Sequence, residues 1–396
     1  MQKQITRRQL SVLILALMVT GIGQSQVFAI LAPLGREIQL TELQITFIIA
    51  LSALVFGLSS PHWGRFSDRV GRKPIIVVGL AGYAVGTLLF TSALYAGLTG
   101  LFGGALAYGL ILVTRTGQSL IMSATNPACS AYAADQTERA DRTRTMARLG
   151  TANSMGTILG PAVSGGLATF GLLAPLYFAA ALAALACVCV WRLLPVIPAS
   201  QRHPHEPVRN VRYTDRRIVL LLATGFGLFI GFSGIQQTLG FQLQDKLDLT
   251  GIQTAQLTGA ALMVSASFTF LVQITVMQRL RLRPTVFIRL GLVAMLCGAG
   301  VISQFNSFDV LAVGMAFLGV GMALCMPAIS AGASLAVEPE EQGGAAGLVS
   351  ACPPLGFAVG PICSGYLYER DASLAPLFSA SVFFLVLLMV VIGDRR

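Results

Sequence analysis

The chain has 396 residues, 55% of them hydrophobic and only 11% charged, with a formal net charge of +10. Soluble domains carry about 25% charged residues, so an ordinary soluble enzyme or binding module is excluded and a membrane protein is indicated. Nucleic-acid binding would need a basic face on a soluble domain; here the basic residues sit in short breaks between apolar runs, and no nucleic-acid partner is expected.

In chain order, the N-terminus MQKQITRRQL is basic and precedes an apolar run of about 25 residues, longer than the roughly 7–15 of a signal-peptide core. It is read as a retained first helix. A spanning helix needs about 20 mostly apolar residues. Twelve such segments are predicted, at roughly 9–33, 44–62, 75–94, 99–131, 146–169, 174–194, 218–241, 252–277, 286–304, 308–336, 343–367 and 374–393. The longest break, rich in Pro, Arg and His, divides them six and six. The expected organisation is an all-α membrane protein of two six-helix bundles: residues 1–195, a cytoplasmic linker at 196–217, and residues 218–396. The seven cysteines lie in apolar segments without CxxC or Cys/His spacing, so no metal site is expected.

Orientation follows from Lys and Arg. With both termini cytoplasmic, 22 basic residues fall in inner breaks, linker and termini, and only Arg36, Lys246 and Arg370 in outer ones. The positive-inside rule supports that arrangement. The halves also repeat. GTILGPAVSGGL from Gly156 and GFAVGPICSGYL from Gly356 align at an offset of 200, as do Pro127-Ala128 and Pro327-Ala328. Parallel six-helix repeats around a midplane cavity are a transporter architecture.

Between the second and third predicted helices lies GRFSDRVGRKP, Gly64 to Pro74, with five charged residues among eleven. Its four bases serve topology, and Gly64 and Gly71 suit a tight turn. Asp68 can pair locally or face a helix N-terminus, where a carboxylate is stabilised by about 0.3–1 kcal/mol.

These residues resemble the signature of the major facilitator superfamily, Gly-x-x-x-Asp-Arg-x-Gly-Arg-Lys/Arg. Gly64, Asp68, Arg69, Gly71, Arg72 and Lys73 match it in full. The resemblance covers the whole chain and is closer to the twelve-helix drug/proton antiporter branch, which includes the tetracycline exporters. It implies the major facilitator fold and a cytoplasmic latch in which Asp68 meets the start of helix eleven, here near Gly343-Gly344. The matching turn after helix eight, QRLRLRP, has bases but no acid, so the latch is one-sided.

A second signature of that branch, in helix five, is met by Gly156, Gly160, Pro161, Gly165 and Gly166, and the resemblance associates it with export by antiport. Small residues four apart let helices approach closely, and proline bends a helix. Gly156, Gly160, Pro161, Gly165, Gly356, Gly360 and Pro361 are therefore expected to form hinges in helices five and eleven, with plain packing as the alternative. A third signature, Arg-x-x-Gln-Gly in helix four, is met by Arg115 and Gln118, with Ser119 in place of glycine. An arginine at depth faces a cavity or a partner, or snorkels to the interface. Tyr108, seven residues earlier, shares its face.

No Asp or Glu lies well inside a predicted helix, and helix one reads GIGQSQ where many multidrug relatives carry an acid. Arg115 thus lacks an evident counter-ion, and an anionic cargo is one way to supply it, as in the siderophore exporters of this branch. Gln24, Gln26, Gln236 and Asn153 are further candidates for substrate binding or coupling.

The reading is a proton-driven secondary exporter of small organic molecules. No GxxxxGK[ST] nucleotide motif occurs, so the proton-motive force is the expected energy source; the protein is expected in a bacterial inner membrane, as a monomer, with no cofactor and no enzymatic activity. An uptake permease on the same fold and a transport-inactive sensor or scaffold are the alternatives.

Overall fold

The protein is described here by a computed structural model covering residues 5–196, 212–277, 279, 282–338 and 341–393. It is built from helices: α1 (Arg7–Glu37), α2 (Glu42–Val70), α3 (Arg72–Leu98), α4 (Gly104–Met122), α5 (Thr125–Asp135), α6 (Arg139–Leu167), α7 (Ala174–Leu193), α8 (Val219–Leu247), α9 (Gly251–Thr275), α10 (Pro284–Ser303), α11 (Phe308–Leu335), α12 (Gln342–Ser350), α13 (Cys352–Tyr368) and α14 (Leu374–Gly393). The first two start on the same device. In TRRQ and TELQ, the Thr6 and Thr41 hydroxyls accept from the Gln9 and Gln44 backbone N–H groups at 3.2 Å. The two glutamine side chains accept in return from the threonine N–H groups. These are capping boxes, satisfying donors that a helix start leaves open.

Counting α4 with α5 and α12 with α13, eleven stretches among the described residues are long and apolar enough to cross a membrane. The segment expected at 146–169 is α6, which falls outside that group. Five of its first ten residues, RADRTRTMAR, are charged, and the rest is rich in Gly, Ser, Thr and Asn. A helix that spends one face on close packing against protein does not need that face to be apolar.

Two segments expected as single helices are broken. The 99–131 span divides at Ser123-Ala124, just before Pro127, and the 343–367 span divides at Ala351, just before Pro353-Pro354. Proline has no N–H to donate and its ring crowds the carbonyl four residues back, so it is tolerated in a first turn and resisted inside a helix. Pro327, the aligned copy of Pro127, nevertheless lies inside the unbroken α11.

The chain divides into two compact units. One comprises Met1–Leu40, Leu51–Pro204 and Gly251–Gly259; the other comprises Thr41–Ala50, His205–Thr250 and Ala260–Arg396. Most of the expected linker, residues 197–211, lies outside the described residues. In the first unit, Leu13, Leu80, Tyr83, Cys129, Tyr132 and Ala183 pack one core across α1, α3, α5 and α7. In the second unit, Arg217 pairs with Asp215 and Glu341 at 2.8 Å each, tying the start of α8 to the start of α12. Its guanidinium holds both carboxyls below their usual range. The Leu43 N–H, in the first turn of α2, donates to the Glu369 carboxylate at 2.9 Å.

The repeat seen in sequence becomes a repeated joint. A methyl group at Gly156 would strike the Met18 carbonyl, and one at Gly160 would strike Ser25 Oγ and lie 2.6 Å from the Ile22 carbonyl oxygen. In the other unit, Gly356 faces Phe229 and the Ile230 nitrogen, and Gly360 faces Ser233 Oγ and the Ile230 carbonyl. So α6 lies backbone to backbone on α1, and α13 on α8, through equivalent residues. Each of the glycines expected to form hinges packs closely against a helix of its own unit.

Candidate functional site

The third feature of the sequence, Arg115, sits at mid-length in α4 and is only 5% exposed. Its Nη1 donates to Gln118 Oε1 at 2.6 Å, one turn along the helix. Gln118 Nε2 in turn donates to Thr87 Oγ1 on α3 at 2.5 Å, and Thr87 donates to the Tyr83 carbonyl at 2.7 Å. Every donor in this chain points away from Arg115. The Phe90 ring lies 5.6 Å from the guanidinium carbon, within the range of a cation–π contact. Gly86 permits the crossing: a methyl group there would sit 2.8 Å from Gln118 Cβ.

What Arg115 lacks is as informative. Its Nε is buried without a hydrogen-bond partner, and among the described residues no carboxylate is paired with it. An ionised group taken out of water is costly unless paired and hydrogen-bonded. Tyr83, the ionisable neighbour of Arg115, presses its hydroxyl into the place a side chain would take at Gly23 on α1, and that hydroxyl is also unpartnered. In the same unit Gln26 Oε1 on α1 and Asn153 Oδ1 on α6 are buried and unsatisfied. The first unit thus holds one fixed positive charge with an open donor, together with buried polar groups that have no partner.

The structure therefore brings Arg115 and Gln118 together as expected. Tyr108 is half-buried two turns earlier on α4, and Gln24 is half-buried on α1; neither side chain has a hydrogen bond among the described residues. Gln236 is in the second unit, on α8, beside Gln237 and near Gln242. Gln236 Oε1, Gln237 Nε2 and Gln242 Oε1 are buried without partners, so that unit offers amides where the first offers charge. The sequence reading missed Thr87, Tyr83 and Phe90. They lie in a strongly apolar helix, and only contact with α4 gives them a role.

The basic knot is also more ordered than a turn. α2 continues through Val70, and Gly71, at φ +120°, is the sole connector before α3. That backbone region favours glycine. Gly64 is helical, with only Pro127 Cβ in ordinary contact where a side chain would stand, so it is no turn residue. Arg69 and Asp68 are exposed and Lys73 half-buried, but Arg72 is 3% exposed. Arg72 pairs with Asp68, donates from Nε to Asp135 Oδ2 on α5 at 3.0 Å, and donates from Nη1 to Ser67 Oγ at 2.8 Å. The latch residues thus include a buried ion pair that their proximity in sequence does not show.

Comparison with known proteins follows this geometry. A family model described as Major Facilitator Superfamily matches residues 13–306 and 277–396. The Multidrug resistance protein 2 of Bacillus subtilis (strain 168) is 24% identical over 409 residues, covering 100% of this chain and 98% of that protein. The crystal structure of the nucleoside transporter NupG matches with a TM-score of 0.79 at 13% identity, covering 99% of this chain and 100% of that one. The human organic anion transporter MFSD10 (TETRAN) matches with a TM-score of 0.65 at 18% identity, covering 97% and 99%.

Proposed function

Because the chain belongs to the major facilitator superfamily, we propose that it is a proton-driven exporter of small organic molecules that carry an anionic group. The observation that carries the cargo's charge is Arg115: a buried guanidinium with an open Nε and, among the described residues, no carboxylate partner. In this reading a carboxylate of the cargo takes the open donor, and Gln118, oriented by Thr87, fixes the guanidinium plane. The unpaired amides of Gln26 and Asn153, in the same unit, meet neutral polar groups. Export is supported by the likeness to a multidrug resistance protein of Bacillus subtilis and by the Gly156–Gly166 pattern. Gradient-driven transport follows the family's alternating-access scheme, with Asp68, Arg69, Gly71, Arg72 and Lys73 acting at the cytoplasmic latch. Inward termini are supported by the 22-to-3 charge bias, and residence in a bacterial plasma membrane by the bacterial relative.

Ligand-induced stabilisation of the purified protein tests this, with matched anionic, neutral and cationic compounds on wild type and Arg115→Gln. Anions are expected to raise the melting temperature of wild type. Arg115→Gln is expected to weaken their binding by about 10- to 150-fold, the equivalent of one charged hydrogen bond. Equal stabilisation of both proteins by lipophilic cations would overturn the anionic reading. In inverted vesicles, a proton gradient should drive uptake of the same anion, and nigericin should abolish it.

A further inference from the structure

A groove of about 760 Å³ runs along the cytoplasmic half of α2, wholly within the first unit. Its apolar part is Leu58 and Phe66 on α2 with Leu120 on α4, and these side chains are 60%, 48% and 45% exposed. Trp63 forms the floor. Its indole N–H donates to the Leu120 carbonyl at 2.7 Å, and Phe66 meets the ring edge-on at 6.0 Å. With its polar atom engaged, the indole offers the groove only apolar surface.

The charged part is Arg65 and Arg69, one turn apart at the inner end of the helix. Among the described residues neither has a hydrogen bond or ion pair, and no carboxylate lines the groove; Asp68 is engaged with Arg72. From Leu58 to Arg69 the face runs about 16 Å along the axis, at 1.5 Å per residue. Along α2 the groove runs from Leu58 past the Trp63 indole to Arg65 and Arg69, which flank Phe66, so the apolar end and the cationic end lie in the bilayer's own order from acyl chain through interface to headgroup.

We propose that this groove binds one anionic phospholipid of the inner leaflet, its phosphate on Arg65 and Arg69 and an acyl chain along Leu58, Phe66 and Leu120. Guanidinium groups match phosphate oxygens in paired geometry. At about 1 kcal/mol per basic residue near an anionic membrane surface, two arginines favour an anionic over a zwitterionic lipid about 30-fold. The site is separate from Arg115 and does not depend on the cargo.

The chain has two tryptophans, Trp63 and Trp191, the latter 60% exposed on α7. In Trp191→Phe, Trp63 alone reports. In mixed micelles, brominated phosphatidylglycerol should quench it at about 30-fold lower mole fraction than brominated phosphatidylcholine. The preference should disappear in Arg65→Gln/Arg69→Gln, while in Trp63→Phe the remaining Trp191 should show none. Unchanged thermal unfolding of the double variant certifies its fold. Equal quenching by the two lipids, or a preference that survives the double substitution, would overturn the proposal. So would displacement of the brominated lipid by millimolar inorganic phosphate or by a soluble amphiphilic anion at equal concentration, either of which would make the groove a small-anion site.

Discussion

Arg72→Gln is expected to cost about 3–5 kcal/mol of stability, the penalty for leaving one member of a buried ion pair uncompensated. Asp135, itself 2% exposed, would then hold a charge with no guanidinium near it, and Ser67 Oγ would lose a donor. Arg72 also begins α3, where a cation is disfavoured by the helix dipole, so its position makes sense only through Asp68 and Asp135. Unfolding by denaturant in a fixed detergent measures this. Arg72→Gln/Asp135→Asn should recover most of the loss, because a neutral pair of the same size carries no unpaired charge. Arg65→Gln, a few residues away and exposed, should change stability by less than about 0.5 kcal/mol. If Arg72→Gln were as mild as Arg65→Gln, the ion pair would not hold α3 to α5.

A second large effect is expected at the repeated joint. Gly160→Ala places a methyl group against the Ile22 carbonyl and Ser25 Oγ, and Gly360→Ala does the same against the Ile230 carbonyl and Ser233 Oγ. A hydroxyl can rotate; a carbonyl cannot move without its helix. Overpacking of this kind costs about 1–3 kcal/mol, and the upper end is expected because the obstacle is backbone. Gly166→Ala supplies the contrast. No neighbouring atom lies within 4 Å of a side chain there, and alanine is the better helix former by about 0.8–1 kcal/mol. The two substitutions, six residues apart on α6, should therefore shift the melting temperature in opposite directions. Destabilisation by both would mean that α6 tolerates no added carbon anywhere, and the joint at Gly160 would have no special standing.

Hydropathy made most of the helices legible, because burying a backbone in lipid fixes a minimum length that composition reveals. The offset of 200 was legible because close helix approach restricts both copies to the same small residues. Partners distant in sequence were not. Arg72 and Asp135 are 63 positions apart, and Gln118 and Thr87 are 31 apart; nothing local at Asp135 or Thr87 distinguishes it from a solvated acid or a helix-lining hydroxyl. Proline was ambiguous for the same reason. Pro127 ends a helix and Pro327 does not, and the difference lies in how each surrounding resolves the missing hydrogen bond. The sequence named Gly156 and Gly160 as important but could not say what they touch, and the structure supplies those partners as a seam between α6 and α1.

That seam has a consequence for how such a molecule arises. The pairing of Ile22 and Ser25 with Gly160 recurs as Ile230 and Ser233 with Gly360, so the first-helix partners are offset by 208 and the fifth-helix partners by 200. Between them α2 and α3 have 29 and 27 residues, whereas α9 and α10 have 25 and 20. An ancestral gene doubled in this way can lengthen and shorten the stretches between the joints and still assemble, provided the joints are kept. At the offset of 200, Arg115 meets Met315 and Gln118 meets Leu318, both buried. One copy therefore carries a buried charge where the other carries buried apolar side chains, so the repeat is kept at its joints and not between them.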